Sequence, residues 1–75
     1  MKTADKKFLK ALGNKIKALR KLQNISQDQL AYECEVHRTN INRIEMGRLN
    51  TGVLNLLLIS KALGVSLNEL LDFEY

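Results

Sequence analysis

The segment that decides the fold is Ser26–Gly47, with the sequence SQDQLAYECEVHRTNINRIEMG. Its pattern predicts two short helices joined by a tight turn. Ser26 and Gln29 have the spacing of a capping box, in which each side chain satisfies an amide at a helix start, so the first helix should begin at Gln27. The residues expected to share its buried face are Leu30, Ala31 and Cys34.

The second helix of this pair is apolar only on its back, at Ile41 and Ile44. Gly47 can take the positive φ that closes it. Its other positions carry imidazole, guanidinium, hydroxyl and amide groups, at His37, Arg38, Thr39, Asn40, Asn42 and Arg43. A core cannot use these groups, whereas they can read base edges in the major groove of DNA. The alternative for the two arginines is ordinary exposed helix charge.

Length and composition predict a single small globular domain, residues 1–75. The chain has 75 residues, no proline and 45% hydrophobic residues. A core of this size seldom gives a wide stability margin, so we expect a partner subunit. The single cysteine, Cys34, excludes an internal disulfide. Since the sequence shows neither an apolar leader nor a run of membrane-spanning length, we expect a cytoplasmic protein without a membrane partner.

Positive charge is concentrated in the first two thirds of the chain. Residues 1–48 hold eleven of the twelve Lys and Arg residues and five acids, whereas residues 49–75 carry a net charge of −2. A basic surface around the two-helix segment is typical of proteins that bind a polyanion. The alternative is a solvated, lysine-rich helix face.

A longer helix is predicted before this segment, from a cap at Asp5 to about Leu22. Its apolar residues are Phe8, Leu12, Ile16 and Leu19. Gly13 lies within this pattern and indicates a close approach of another helix. Asn24 should end the helix in a left-handed conformation.

Two further helices are predicted after the segment. One covers Val53–Leu63, ends at Gly64 and is apolar on nearly every side, so it either lies centrally or meets a second subunit. Ser66 and Glu69 form another capping box at the start of a short last helix. We expect helices 4 and 5, about residues 53–73, to supply a dimer surface that includes Leu54, Asn55, Leu58, Leu67, Leu71 and Phe73. For Asn55 the alternative is a bond to a neighbouring loop.

Four motifs in this chain resemble the Xre family, the Cro and lambda-repressor-like helix-turn-helix proteins. They are LGNKIKALR, SQDQLA, IEMG and ISKALGVSLNELL, and the resemblance spans about Leu12–Leu71. Within the family, HRTNINRIEMGRLNTGVLN is most similar to the controller proteins of restriction-modification systems. The resemblance implies an all-α, five-helix, lambda-repressor-like DNA-binding domain with its helix-turn-helix at helices 2 and 3.

The resemblance also implies roles for individual residues. Gln27 would meet a phosphate, Arg38 and Thr39 would begin the recognition helix, and Arg38 is the first candidate for reading a guanine. His37 would cap helix 3 or contact the DNA backbone. The full set of expected DNA-binding residues is Gln27, His37, Arg38, Thr39, Asn42, Arg43, Arg48 and Asn50.

Some positions have a structural role or depart from the pattern. Family members often join the residues at Arg20 and Glu45 in an internal salt bridge, so we expect a structural role for this pair. Asn40 and Leu49 stand where many controller proteins have an aromatic residue and an arginine, and no contact is assigned to them.

These features predict a homodimeric, sequence-specific transcription regulator that binds an inverted repeat in double-stranded DNA, with RNA polymerase as a further candidate partner. Alternatives are an antitoxin or phage-type repressor of the same fold, or a protein-interaction module that does not bind DNA. We expect no enzyme, cofactor or metal, because His37 and Cys34 are the only histidine and cysteine and zinc needs three or four ligands.

Overall fold

The computed structural model describes residues 3–75, apart from the side chain of Ala4, and this part of the chain is helical. Its five helices are α1 (Thr3–Leu22), α2 (Gln27–Cys34), α3 (Arg38–Glu45), α4 (Val53–Ala62) and α5 (Leu67–Leu70). The predicted five-helix, all-α fold is confirmed. Within the described residues, none of the helices combines the length and apolar character needed to cross a membrane.

The first helix packs its middle against the end of α3. A Cβ atom on Gly13 would overlap the backbone carbonyl oxygens of Ile44 and Glu45, so the predicted close approach at Gly13 is confirmed. The predicted cap at Asp5 is wrong, because α1 already begins at Thr3 and Asp5 lies in its first turn. A carboxylate there still favours the positive end of the helix dipole.

Local signals set most helix ends. The Ser26 Oγ accepts a hydrogen bond from the Gln29 amide at 3.0 Å, and the Ser66 Oγ accepts one from the Glu69 amide at 3.0 Å. Asn24 has a φ of 57° and closes α1 as predicted. Each of these ends therefore follows from a side chain or backbone preference within a few residues of it.

The turn between α2 and α3 has a feature that the sequence does not indicate. Glu35 takes a left-handed φ of 56°, and the Val36 amide donates to the Ala31 carbonyl at 3.0 Å. Such a conformation strains a residue with a Cβ by roughly 1–2 kcal/mol relative to right-handed helix. The turn is held by this backbone hydrogen bond and by Val36, which packs against the core.

One core joins all five helices. Its buried residues are Leu12, Ile16, Leu30, Ala31, Cys34, Ile41, Ile44, Ile59, Leu63 and Leu70. The central position expected for α4 holds for one side only, since Ile59 and Ser60 are buried there. The core supports α3 from behind and leaves its opposite face toward solvent.

The C-terminal residues pack back onto α1. The rings of Phe8 and Phe73 have centroids 5.3 Å apart, and Tyr75 lies edge-on to Phe8 at 5.1 Å. Leu70 is fully buried, whereas Leu71 lies just beyond α5 and is partly exposed. The last residues therefore belong to the fold of this chain.

Candidate nucleic-acid interface

The third helix presents one polar face to solvent. Ile41, Ile44 and Glu45 are buried on its inner side. The exposed residues follow one another at helical spacing and share the outer side: Arg38, Thr39, Asn42 and Arg43. The structure therefore brings together four of the expected DNA-binding residues. We call these four residues the α3 polar face.

The start of α2 lies beside this face, and a hydrogen bond to the end of α3 holds it there. Gln27 is half-buried, and its Nε2 donates to the Glu45 Oε1 at 3.0 Å. The sequence does not indicate this bond, because the two residues are 18 positions apart and their contact depends on how α2 and α3 pack. It leaves the second N–H of the Gln27 side-chain amide as a donor for an anion, together with the backbone amides of Gln27 and Asp28, since the Gln29 amide already donates to Ser26.

Arg20 lies beneath the two helices and pairs with Glu45. The Arg20 Nε donates to the Glu45 Oε2 at 2.7 Å, and the two side chains are 10% and 2% exposed. A further N–H of Arg20 donates to the Ile25 carbonyl at 2.9 Å. The hydrogen bond to Glu45 raises the pKa of Arg20, against an opposing effect of burial. The pair thus links α1, the turn after α1 and the end of α3.

Across the turn, the first residue of α3 has an ionic partner on α2. The Arg38 Nε lies 3.2 Å from the Asp28 Oδ1, and the side chains are 66% and 78% exposed. Neither composition nor helical periodicity indicates this pair.

The remaining expected DNA-binding residues surround α3. Arg48 and Asn50 are exposed in the loop after α3. His37 occupies the N-cap position of α3, and within the described residues its side chain makes no capping hydrogen bond. Asn40 and Leu49 are both half-buried and line a small cavity between α3 and α4. They therefore face the inside of the fold.

Lysines occupy two sides of α1. Lys10 and Lys17 lie three residues before and four residues after Gly13, so they share the side of α1 that packs near the end of α3. Lys15 lies on another side and its Nζ donates to the Asp72 carbonyl at 3.3 Å. The basic charge next to α3 therefore comes from some lysines of α1 and not from others.

The fourth helix presents an apolar face to solvent. Val53, Leu54, Leu57 and Leu58 are 65%, 73%, 37% and 43% exposed. They recur at the spacing of one helix side, opposite the buried Ile59. We call these four residues the α4 apolar face.

The other residues expected at a dimer surface are placed differently. Leu71 is 36% exposed, while Leu67 and Phe73 are half-buried against the core of the same chain. The Asn55 Nδ2 donates to the Thr51 Oγ1 at 2.9 Å, which is the loop contact considered as its alternative role.

The arrangement of α2, the tight turn and the solvent-facing α3 defines a helix-turn-helix protein. The chain belongs to the helix-turn-helix family HTH_3, whose family model matches residues 16–70. The resemblance inferred from the sequence motifs is confirmed, and the prediction that the chain is not an enzyme agrees with this family.

Comparison with individual proteins shows which members of the family this chain resembles. It is similar to the control protein C.BamHI of Bacillus amyloliquefaciens, with 48% identity over 62 residues that cover 81% of this chain and 76% of that protein. The crystal structure of the restriction-modification controller protein C.AhdI from Aeromonas hydrophila superposes with a TM-score of 0.80 and 28% identity, covering 85% of this chain and 96% of C.AhdI.

A third similar protein was solved with nucleic acid. The biofilm master regulator SinR, in complex with DNA, superposes with a TM-score of 0.76 and 32% identity, covering 81% of this chain and 98% of the SinR chain in that structure.

Proposed function

We propose that this chain, a DNA-binding transcription regulator, acts as a homodimer on an inverted-repeat operator and is the controller protein of a restriction-modification system. In this proposal residues 1–75 act as a single DNA-binding domain. Occupancy of the operator would either exclude RNA polymerase from a promoter or help to recruit it.

The observation that carries the proposal is the α3 polar face. Guanidinium, hydroxyl and amide groups project from one side of a helix whose other side is anchored in the core. The major groove is wide enough for such a helix, and an arginine can donate two parallel hydrogen bonds to a guanine. Arg38 would read such a base, and Thr39, Asn42 and Arg43 would contact neighbouring groups.

Backbone contacts would hold the duplex in register. Gln27 and the amides at the start of α2 would bind one phosphate, and Arg48 and Asn50 would bind another from the loop after α3. His37, exposed at the start of α3, would also lie close to the duplex. Lys10 and Lys17, exposed on the side of α1 that lies near the end of α3, would add charge beside them.

The α4 apolar face supports the homodimer. A stripe of four exposed aliphatic side chains is costly to leave in water, and a second copy would cover it with an identical stripe. In the proposed dimer Leu54 and Leu58 would lie at the centre of the interface, and α4, α5 and the following residues would complete it with Asn55, Leu67, Leu71 and Phe73. A twofold dimer would place two α3 helices in successive major grooves, about 34 Å apart.

Selection of bound duplexes from a random pool tests the proposal. We expect an enriched inverted repeat with half-site centres about ten base pairs apart. The affinity for that sequence should fall by roughly 10³ to 10⁵ between 50 and 200 mM salt if the dimer neutralises six to ten phosphates. Absence of an enriched sequence, or binding that hardly responds to salt, would instead indicate the protein-interaction module.

A further inference from the structure

Asp28 stands next to the residue to which the proposed function gives base reading. It is the second residue of α2, and Arg38 is the first residue of α3. Their side chains meet across the turn, with the Arg38 Nε 3.2 Å from the Asp28 Oδ1. Both side chains remain largely exposed, so the pair lies at the solvent side of the two helices and not in the core.

The atoms used by this contact restrict how Arg38 can bind a base. A guanidinium has five N–H donors in one plane, and the Asp28 carboxylate forms its ion pair at the Nε side of that plane. The two terminal nitrogens keep their four N–H groups, which are sufficient for the paired bonds to O6 and N7 of a guanine. With Asp28 beside Nε, the two terminal nitrogens are the ones left to meet the base.

We infer that Asp28 is a positioning residue for sequence recognition: it holds the guanidinium of Arg38 in the plane and direction in which its terminal nitrogens meet a guanine. This inference rests on the proposed function, because it assigns a role within the same DNA-binding face. Arg38 has several rotatable bonds, and a partner that fixes them before binding reduces the entropy lost on binding.

Asp28 should improve discrimination at one base pair, but its negative charge should lower the affinity for DNA of any sequence. A carboxylate beside the duplex repels phosphates, whatever their sequence. Removal of Asp28 should therefore weaken discrimination at one base pair while leaving binding to unrelated DNA unchanged or stronger. A residue that served only the fold would weaken binding to every sequence alike. Removal of Asp28 should thus lower discrimination without lowering the affinity for unrelated DNA, so affinities for two duplexes can distinguish its role from a purely structural one.

The experiment uses the operator selected by the wild-type chain and a second duplex in which only the base pair read by Arg38 is replaced. Arg38→Ala identifies that base pair, as the position where it abolishes preference. Asp28→Ala and Asp28→Asn should both lower the preference at the same base pair by about two- to tenfold, the lower part of the range of coupling between contacting residues, because this pair is exposed. In the Arg38→Ala background, Asp28→Ala should change this preference no further.

Glu33→Ala is the matched control. Glu33 is an exposed acid on α2, five residues after Asp28 and so on a different side of the helix, and its removal changes the net charge equally. It should leave the preference at the Arg38 base pair unchanged. Circular dichroism melting should show both Asp28 variants folded, since an exposed ion pair contributes little to stability.

The outcomes separate this inference from the proposed function. If the wild-type chain selects no sequence, both are overturned. If it selects an operator but Arg38→Ala keeps the preference at every base pair, the inference is overturned together with base reading by Arg38, while operator binding stands. If Asp28→Ala keeps the preference at the Arg38 base pair, the inference alone is overturned. A loss of the same size with Glu33→Ala would also overturn it, because charge alone would then account for the effect.

Discussion

Arg20 and Glu45 meet through two parallel hydrogen bonds, from Nε to Oε2 at 2.7 Å and from Nη2 to Oε1 at 3.0 Å. The residues are 25 positions apart, on α1 and at the end of α3, and both are buried. The paired geometry satisfies both carboxylate oxygens, which is the condition under which a buried ion pair is tolerated.

Glu45→Ala should destabilise the fold by about 3–5 kcal/mol, because it leaves the Arg20 charge buried without a partner. Thermal unfolding should show a melting temperature lower by about 10 °C or more, since each kcal/mol corresponds to roughly 4–8 °C in a domain of this size. Glu33→Ala, at an exposed acid, should leave the melting temperature within a few degrees. An unchanged melting temperature for Glu45→Ala would refute the structural role.

Gly13→Ala should change stability in two opposing ways, through helix propensity and through packing. Alanine favours a helix interior by about 1 kcal/mol over glycine, yet its Cβ would overlap the carbonyl oxygens of Ile44 and Glu45. Since these are backbone atoms, α1 and α3 would have to separate, and urea unfolding should show a net loss of stability of more than about 1 kcal/mol. Gly52→Ser, at the cap of α4 where a Cβ meets no atom within 4 Å, should instead stabilise by a few tenths of a kcal/mol. A more stable Gly13→Ala would show that the helices separate readily.

Arg38→Ala and Lys17→Ala should affect DNA binding in different ways. The first should reduce discrimination by about 1–3 kcal/mol at one base pair of each half-site, and the second should weaken all sequences alike and lower the salt slope by about one per subunit. Lys15→Ala is the control on the same helix, because Lys15 lies on another side and contacts the Asp72 carbonyl. Fluorescence anisotropy titrations at several salt concentrations measure all three. Equal losses for Arg38→Ala and Lys17→Ala on every duplex would contradict base reading by Arg38.

Leu54→Asp should dissociate the proposed dimer. It introduces a charge into the α4 apolar face, where two copies would bury it without a partner. Sedimentation equilibrium should show self-association at least about tenfold weaker, while circular dichroism stays the same because Leu54 is 73% exposed in the single chain. Leu22→Asp is the control, at a leucine that is 82% exposed at the end of α1. If Leu22→Asp dissociates the dimer and Leu54→Asp does not, the interface lies elsewhere.

Ionisation of the Cys34 thiol should make the free energy of unfolding depend on pH in the alkaline range. Burial raises the pKa of Cys34, and the nearby Glu33 charge raises it further. Between the pKa of the unfolded thiol and the raised pKa in the fold, only the unfolded chain loses the proton, so the free energy of unfolding falls as pH increases. Urea unfolding from about pH 8 to 10 should therefore show a smaller decline for Cys34→Ala than for the wild type. Parallel curves would contradict the shift, and a thiol reagent that reacts as fast with the folded chain as in urea would contradict the burial.

Local chemistry accounts for what could be predicted from the sequence. The starts at Ser26 and Ser66 and the stop at Asn24 depend on side chains within three residues of the helix end, so they can be read directly. The left-handed Glu35 could not be predicted, because glutamate has no preference for that region and packing imposes it.

The site could be predicted less completely than the fold. The outward side of α3 follows from helical periodicity, since Ile41 and Ile44 fix which face is buried. The contacts from Gln27 to Glu45 and from Asp28 to Arg38 depend on how two helices cross, which periodicity does not contain. The same limit applies to α4, where a nearly uniform apolar pattern does not tell which side faces the core.

The Glu45 carboxylate holds both Arg20 and Gln27, and through them it fixes the start of α2 relative to the end of α3. The two elements that would approach DNA are therefore rigidly connected before any duplex arrives. A preorganised surface of this kind needs no ordering step during encounter, so collision frequency and long-range attraction would govern how fast the complex forms. Stopped-flow traces should then show a single phase whose rate rises in proportion to duplex concentration.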